Sequence, residues 1–180
     1  SIQFRNLLCI YTRYFTLSKI MEAMKIVAIL APLSYLIHCI EEFAFPGGFV
    51  SWYHHFRPAL SKQTPKYYWI VNIIAFILVT ITSYFVLFTE GNNSGLVIST
   101  SFLACNAIFT HIFGSIRTHV YSPGIVTGTI LYLPICFTCY IVTYTSHLIG
   151  LNNLCIYFII APLYEFWNWY KYKRLTNIKN

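Results

Sequence analysis

The chain has 180 residues, 57% of them hydrophobic, 19% aromatic and only 9% charged, with a net charge of +7 and a mean hydropathy of +0.61. A soluble domain carries about 25% charged residues, so this composition excludes a soluble enzyme surface and a disordered chain and describes a membrane protein. The basic excess is matched to anionic lipid headgroups and not to nucleic acid, because so aromatic and aliphatic a chain cannot form a solvated basic groove.

Residues 1–20 are apolar and basic but are interrupted by Arg5, Arg13 and Lys19. They read as an interfacial helix, or as an extension upstream of Met21. Residues 21–180 read as a single transmembrane bundle. A span needs about 20 mostly apolar residues. Five stretches qualify, at 26–45, 68–88, 96–116, 123 to about 144–149, and 154–170. Phe45-Pro46-Gly47-Gly48, Glu90-Gly91-Asn92-Asn93-Ser94, Ser122-Pro123-Gly124 and Gly150-Leu151-Asn152-Asn153 mark the breaks. No alternating strand pattern recurs, so the expected fold class is all-α, a polytopic helical bundle of about five transmembrane helices. With five spans, eight Lys and Arg (Arg57, Lys62, Lys66, Arg117, Lys171, Lys173, Arg174, Lys179) fall on one side and four on the other. The positive side, with the C-terminus, is expected to be cytoplasmic.

A charged side chain at membrane depth is expensive, and its default reading is functional. His38, Glu41 and Glu42 lie near the exit of the first span, Asn106 and His111 in the second half of the third, Glu165 and Asn168 near the exit of the fifth, and Tyr121 and Thr127 at the opening of the fourth. All these ends face the predicted cytoplasmic side, so the residues are able to meet in one layer. In His38-Cys39-Ile40-Glu41-Glu42 the imidazole and the two carboxylates, at i, i+3 and i+4, share an arc of about 100° of helix surface. That arc suits a metal held through His and Glu, or a base set beside an acid; the bland reading is a His/Glu cluster that glues helices together.

His111 has its own bland reading, a core histidine bonded to a carbonyl or to Ser115. Asn106 lies five residues earlier, about 140° round an α-helix, so the two need not face the same neighbour. Ser122 and Pro123 read as an N-cap and a first helical residue, whose free amides form a positive helix end near the glutamates. His54-His55, beside Trp52 and Tyr53, either covers the site or lies at the interface. Cys136-Phe137-Thr138-Cys139 is formally C-x-x-C, but at lipid depth it reads as small packing residues.

These residues resemble the HXXEE family of small multi-span membrane proteins. The resemblance rests on His38-Cys39-Ile40-Glu41-Glu42, on Asn106-Ala107 with His111, and on a Y-x-P-G-x-x-T pattern at Tyr121, Pro123, Gly124 and Thr127. It implies a membrane enzyme of unassigned reaction. In one version His38, Glu41, Glu42 and His111 bind zinc or iron, with His38, Glu42 and His111 the metal set of choice and one glutamate free to move protons. In the other a His/Glu pair transfers protons without a metal. The expected catalytic group is His38, Glu41, Glu42, Asn106, His111, Tyr121 and Thr127, and the expected partners are membrane lipids and an apolar or lipid-like small molecule. A proton- or cation-coupled carrier and a structural membrane subunit are the competing functions.

Overall fold

The computed structural model describes the backbone of residues 2–89 and 93–177, with side chains from Ser18 onward. The side chains of the interrupting Arg5 and Arg13, and the break residues Glu90, Gly91 and Asn92, lie outside the described residues. The chain forms α1 (Ile2–Phe43), a turn, α2 (Phe49–Phe56), a short 3-10 turn (Pro58–Leu60) and α3 (Pro65–Phe88). It continues with α4 (Ser94–Asn106), which runs through a π-helical segment (Ala107–Ile112) into α5 (Phe113–Thr118). Next come α6 (Ile125–Thr127), a second π-helical segment (Gly128–Tyr132) and α7 (Leu133–Thr145), and the chain ends in α8 (Leu151–Ile160) and α9 (Leu163–Asn177). The described residues contain no strand.

Four of these helical runs are long and apolar enough to cross a bilayer: Ser18–Phe43, Pro65–Phe88, Ser94–Thr118 and Ile125–Thr145. The chain is therefore an integral membrane protein with a helical bundle fold, since only helices that satisfy their own backbone survive in hydrocarbon. The fifth apolar stretch is divided at Ala161-Pro162 into helices of 10 and 15 residues. Together they run parallel to Ser94–Thr118. The Tyr157 hydroxyl donates to Ser94 Oγ at 3.0 Å, Tyr164 packs on Phe102, and Thr110 reaches Glu165.

The run Ser94–Thr118 is central: 56% of its apolar window is buried, against 11% for Pro65–Phe88, which turns most of its aliphatic surface to lipid. Small residues let α1 approach its neighbours, with Ala28 and Ala31 fully buried against Tyr35, Leu96, Val97 and Cys139 in one core cluster. Hydroxyls at membrane depth are satisfied locally. Thr100, Ser101 and Thr143 bond carbonyls one turn back, and Thr82 meets Ser99 across α3 and α4 at 2.8 Å. A second cluster, of Phe49, Trp52, Tyr53, Phe56, Leu60 and Tyr68, gathers α2 and the start of α3 at one end of the bundle.

Candidate functional site

The last two turns of α1, the π-helical segment and the 121–127 stretch converge at that same end. His38, Glu42 and His111 are buried, at 1%, 2% and 0% exposure. His38 Nε2 and His111 Nε2 each lie 3.3 Å from Glu42 Oε1. One ligand atom from each of the three residues falls within 4.8 Å of the other two, and no other group of three His, Cys, Asp or Glu is so placed among the described residues. The imidazole rings stand edge to face, 84° apart with centroids at 4.8 Å.

Hydrogen bonds behind the rings fix which nitrogen faces the centre. Glu41 accepts from the Tyr121 hydroxyl at 2.6 Å, from Val126 N at 3.1 Å, and from Thr127 N and Thr127 Oγ1 at 2.7 and 2.5 Å. The amides of α6 thus hold an anion at a helix start. Because the Thr127 hydroxyl spends its only proton on Glu41, its oxygen accepts from His38 Nδ1, 2.8 Å away. A neutral His38 then turns the Nε2 lone pair to the centre. His111 Nδ1 pairs with Ser122 Oγ at 3.0 Å, and Asn106 Nδ2 approaches His111 Nε2 at 3.4 Å. With Ser122 Oγ as the acceptor of the Nδ1 proton, a neutral His111 also carries no proton on Nε2.

In these tautomers two imidazole lone pairs and a carboxylate oxygen face one another and repel unless a cation or a proton lies between them. Bonds of about 2.0–2.2 Å at tetrahedral angles put neighbouring donors about 3.3–3.6 Å apart; both His-to-Glu42 edges are 3.3 Å, while the three donors together spread over 4.8 Å. His38 Nε2 and Glu42 Oε2 are buried with no hydrogen-bond partner among the described residues. The Glu41–Thr127–His38 chain is the kind of outer support that holds metal-ligating histidines in one tautomer.

Gly124 closes the site from one side. Its φ is +101°, and a Cβ there would stand 2.6 Å from His111 Cε1 and 2.7 Å from His38 Cε1. Trp52 and Phe49 of α2 cover another side: the indole stacks on the His111 ring at 6.1 Å and 15°, and Phe49 lies at 5.8 Å. Trp52 in turn needs Gly114, where a Cβ would lie 2.7 Å from its Cη2. A cavity of about 70 Å³ opens beside Glu42, walled by Asn72, Asn106, Thr110, Glu165 and Asn168 among others. On another side Glu42 borders a wider depression with Ser51, His54, Lys62 and Gln63. Outside the spans, burial and the hydrogen bond to Glu41 push the Tyr121 phenol up to about 12.

All seven expected catalytic residues meet here, in different roles. Glu41 turns away from the donor centre, which His38, Glu42 and His111 form. Asn106 and His111 share a face because a π turn, with its i→i+5 bonding, stacks residues five apart. Ser122 is not the expected N-cap: Gly124 precedes α6, and the serine hydroxyl serves His111. Ser115 bonds the Val120 carbonyl instead of His111. The histidines of α2 do not cover the site; His54 lies against Tyr68 and His55 is exposed.

Glu165 pairs with the buried Arg57, with Nη2 to Oε2 at 3.5 Å, and accepts from Thr110 at 3.1 Å. Arg57, counted above among the eight basic residues of one side, is a buried structural cation whose removal would strand a buried carboxylate at a cost of about 3–5 kcal/mol. Gly124, Ser122, Trp52 and Phe49 were not singled out as site residues in the sequence. The Y-x-P-G-x-x-T pattern was the only signal there for the glycine.

Searches of curated proteins and of solved structures find no match. A family described as proteins of unknown function with an HXXEE motif matches residues 29–139, a stretch that holds every residue of the site from His38 to Thr127. On that match, which spans more than half of the sequence, the chain belongs to the HXXEE family.

Proposed function

We propose that the protein is an intramembrane enzyme with a mononuclear metal centre on His38, Glu42 and His111, acting on an apolar or lipid-like substrate. The observation that carries the reading is the convergence of two Nε2 lone pairs and Glu42 Oε1 in a buried site whose opposite ring nitrogens are held by hydroxyls. Two histidines and one carboxylate suit zinc or iron(II), and such an ion supplies Lewis acidity toward a carbonyl, phosphoryl or hydroxyl oxygen.

The chain's own groups supply the rest. Glu42 borders the cavity, and its Oε2, without a partner among the described residues, exchanges a proton with a substrate group held there. Asn106 orients His111, while Trp52 and Phe49 exclude water from the rings. Glu41, Thr127 and Tyr121 keep His38 in one tautomer.

A second reading rests on Glu42 Oε1 standing 3.3 Å from both imidazoles, a geometry that also suits a shared proton and acid/base chemistry without a metal. The site end carries Arg57, Lys62, Lys66, Arg117, Lys171, Lys173 and Arg174, which supports a cytoplasmic site and C-terminus. Metal analysis of the purified full chain, after loading with zinc or iron(II) and removal of free ion, tests the centre. About one ion per chain in wild type and none in Glu42→Gln is expected. Wild type that retains no ion sinks the metal centre and leaves the acid/base reading.

A further inference from the structure

Three features meet at Glu165 that the donor centre does not use. The carboxylate is buried, and its Oε2, though 3.5 Å from Arg57 Nη2, makes no hydrogen bond among the described residues. It forms a wall of the polar cavity that ends at Glu42. It also lies, with Arg57, at a groove of about 340 Å³ on the outside of the bundle, lined further by Phe109, Phe113, Pro162, Phe166 and Trp169. The four aromatic walls are exposed; Phe109 and Phe113 belong to the Ser94–Thr118 span, and Phe166 and Trp169 to α9. Pro162, at the break between α8 and α9, forms part of the groove.

We infer that this groove holds the hydrocarbon chain of a single-chain amphiphile whose hydroxyl or amine head donates to Glu165 Oε2 and points along the cavity toward Asn106 and Glu42. The inference rests on the lipid-like substrate proposed above and names its head-group chemistry and its route in. An ionised carboxylate only accepts hydrogen bonds, so a free lone pair at the groove selects a donor. An ionised carboxylate or phosphate head offers Glu165 Oε2 no donor. Arg57, at the same groove, already directs Nη1 at the Tyr53 hydroxyl and Nη2 at Glu165. The head and the chain have separate places, one beside the polar side chains of Asn106, Thr110 and Glu42, the other aromatic.

The test uses the full chain in lipid nanodiscs and long-chain probes dibrominated at mid-chain, which quench nearby tryptophan. A dibrominated alcohol or amine is expected to quench saturably, and Trp169→Phe to remove the saturable component. Phe166→Ala should raise the half-saturating concentration about fivefold to tenfold through loss of one aromatic wall. The matched fatty acid and alkane should bind at least about tenfold more weakly, and Glu165→Gln should narrow the gap for the fatty acid. If Glu165→Gln does not fold, the Phe166 and Trp169 variants carry the test.

Quenching that rises linearly with probe and ignores Phe166→Ala overturns the groove. A fatty acid or alkane that binds as tightly as the alcohol overturns the donor head. Metal content measured on the same samples separates the two proposals. Ion retained without saturable quenching overturns this inference alone, whereas saturable quenching without bound ion overturns only the metal centre.

Discussion

Glu41 and Glu42 are neighbours in the chain whose carboxylates face opposite surroundings. Glu41 accepts four hydrogen bonds from the 121–127 stretch, while Glu42 faces two imidazoles and leaves Oε2 without a partner among the described residues. One carboxylate is a structural anion and the other a free donor. Their isosteric variants should therefore fail differently. Glu42→Gln should lose bound metal with little change in melting temperature. Glu41→Gln should lower stability by about 1–3 kcal/mol, because an amide cannot accept from four donors, and should weaken metal binding about 10- to 100-fold through His38. Melting in detergent and metal content on both variants check this; equal effects would refute the division of roles.

Gly124→Ala should be among the most damaging small substitutions in the chain. The added methyl meets both imidazole rings under 3.0 Å at a backbone angle that L side chains rarely adopt. The strain alone is about 1–3 kcal/mol, and displacement of either ring should abolish metal binding. Gly150→Ala is the control, since nothing lies within 4 Å of its added Cβ and its φ is −66°. If both variants melt and bind metal alike, Gly124 is not the floor of the site.

Thr127→Val keeps the shape of the side chain and removes the hydroxyl between Glu41 and His38. His38 Nδ1 then loses its acceptor, and metal affinity should fall about 10- to 100-fold, with Thr127→Ser restoring most of it. Ser122→Ala should act in the same direction through His111. Titration of each variant with zinc gives the affinities; unchanged affinity in Thr127→Val would show that the tautomer of His38 is set elsewhere.

Tyr121 supplies a pH signature. Its phenol titrates near 12 in the folded protein against 10.0 for a free tyrosine. The folded state therefore holds a proton that the unfolded state releases in that interval, so this group's contribution is complete below about pH 10 and is lost as pH rises toward 12. Tyr121→Phe should lose less stability over that interval than wild type, although its stability below it is lower for want of the bond to Glu41. Parallel melting curves across the alkaline limb that superimpose would refute the linkage.

Reporter fusions after Asn180 and within Asn92–Ser94 should lie on opposite sides of the membrane, with the C-terminal one cytoplasmic. The expectation rests on the parallel course of α8 and α9 beside Ser94–Thr118 and on the basic residues at the site end. Reporters on one side would mean that α8 and α9 do not complete a crossing.

Hydropathy and helical period are local properties, so the sequence by itself determined that this is a membrane bundle, where four long spans lie, and that His38, Glu41 and Glu42 share one arc of α1. Charge scarcity marked the polar residues for the same reason: each stands out against its own apolar neighbours. The tertiary structure decided which glutamate faces the histidines, because that depends on Tyr121, Val126 and Thr127, some 80 residues along the chain. It also set the π turn that brings Asn106 beside His111, against the 140° that an α-helix imposes. Ser122, Trp52 and the Arg57–Glu165 pair acquired their partners in the same way. Such partners are chosen when packed helices bring distant groups into a medium without water, where a polar atom must take the nearest complementary one.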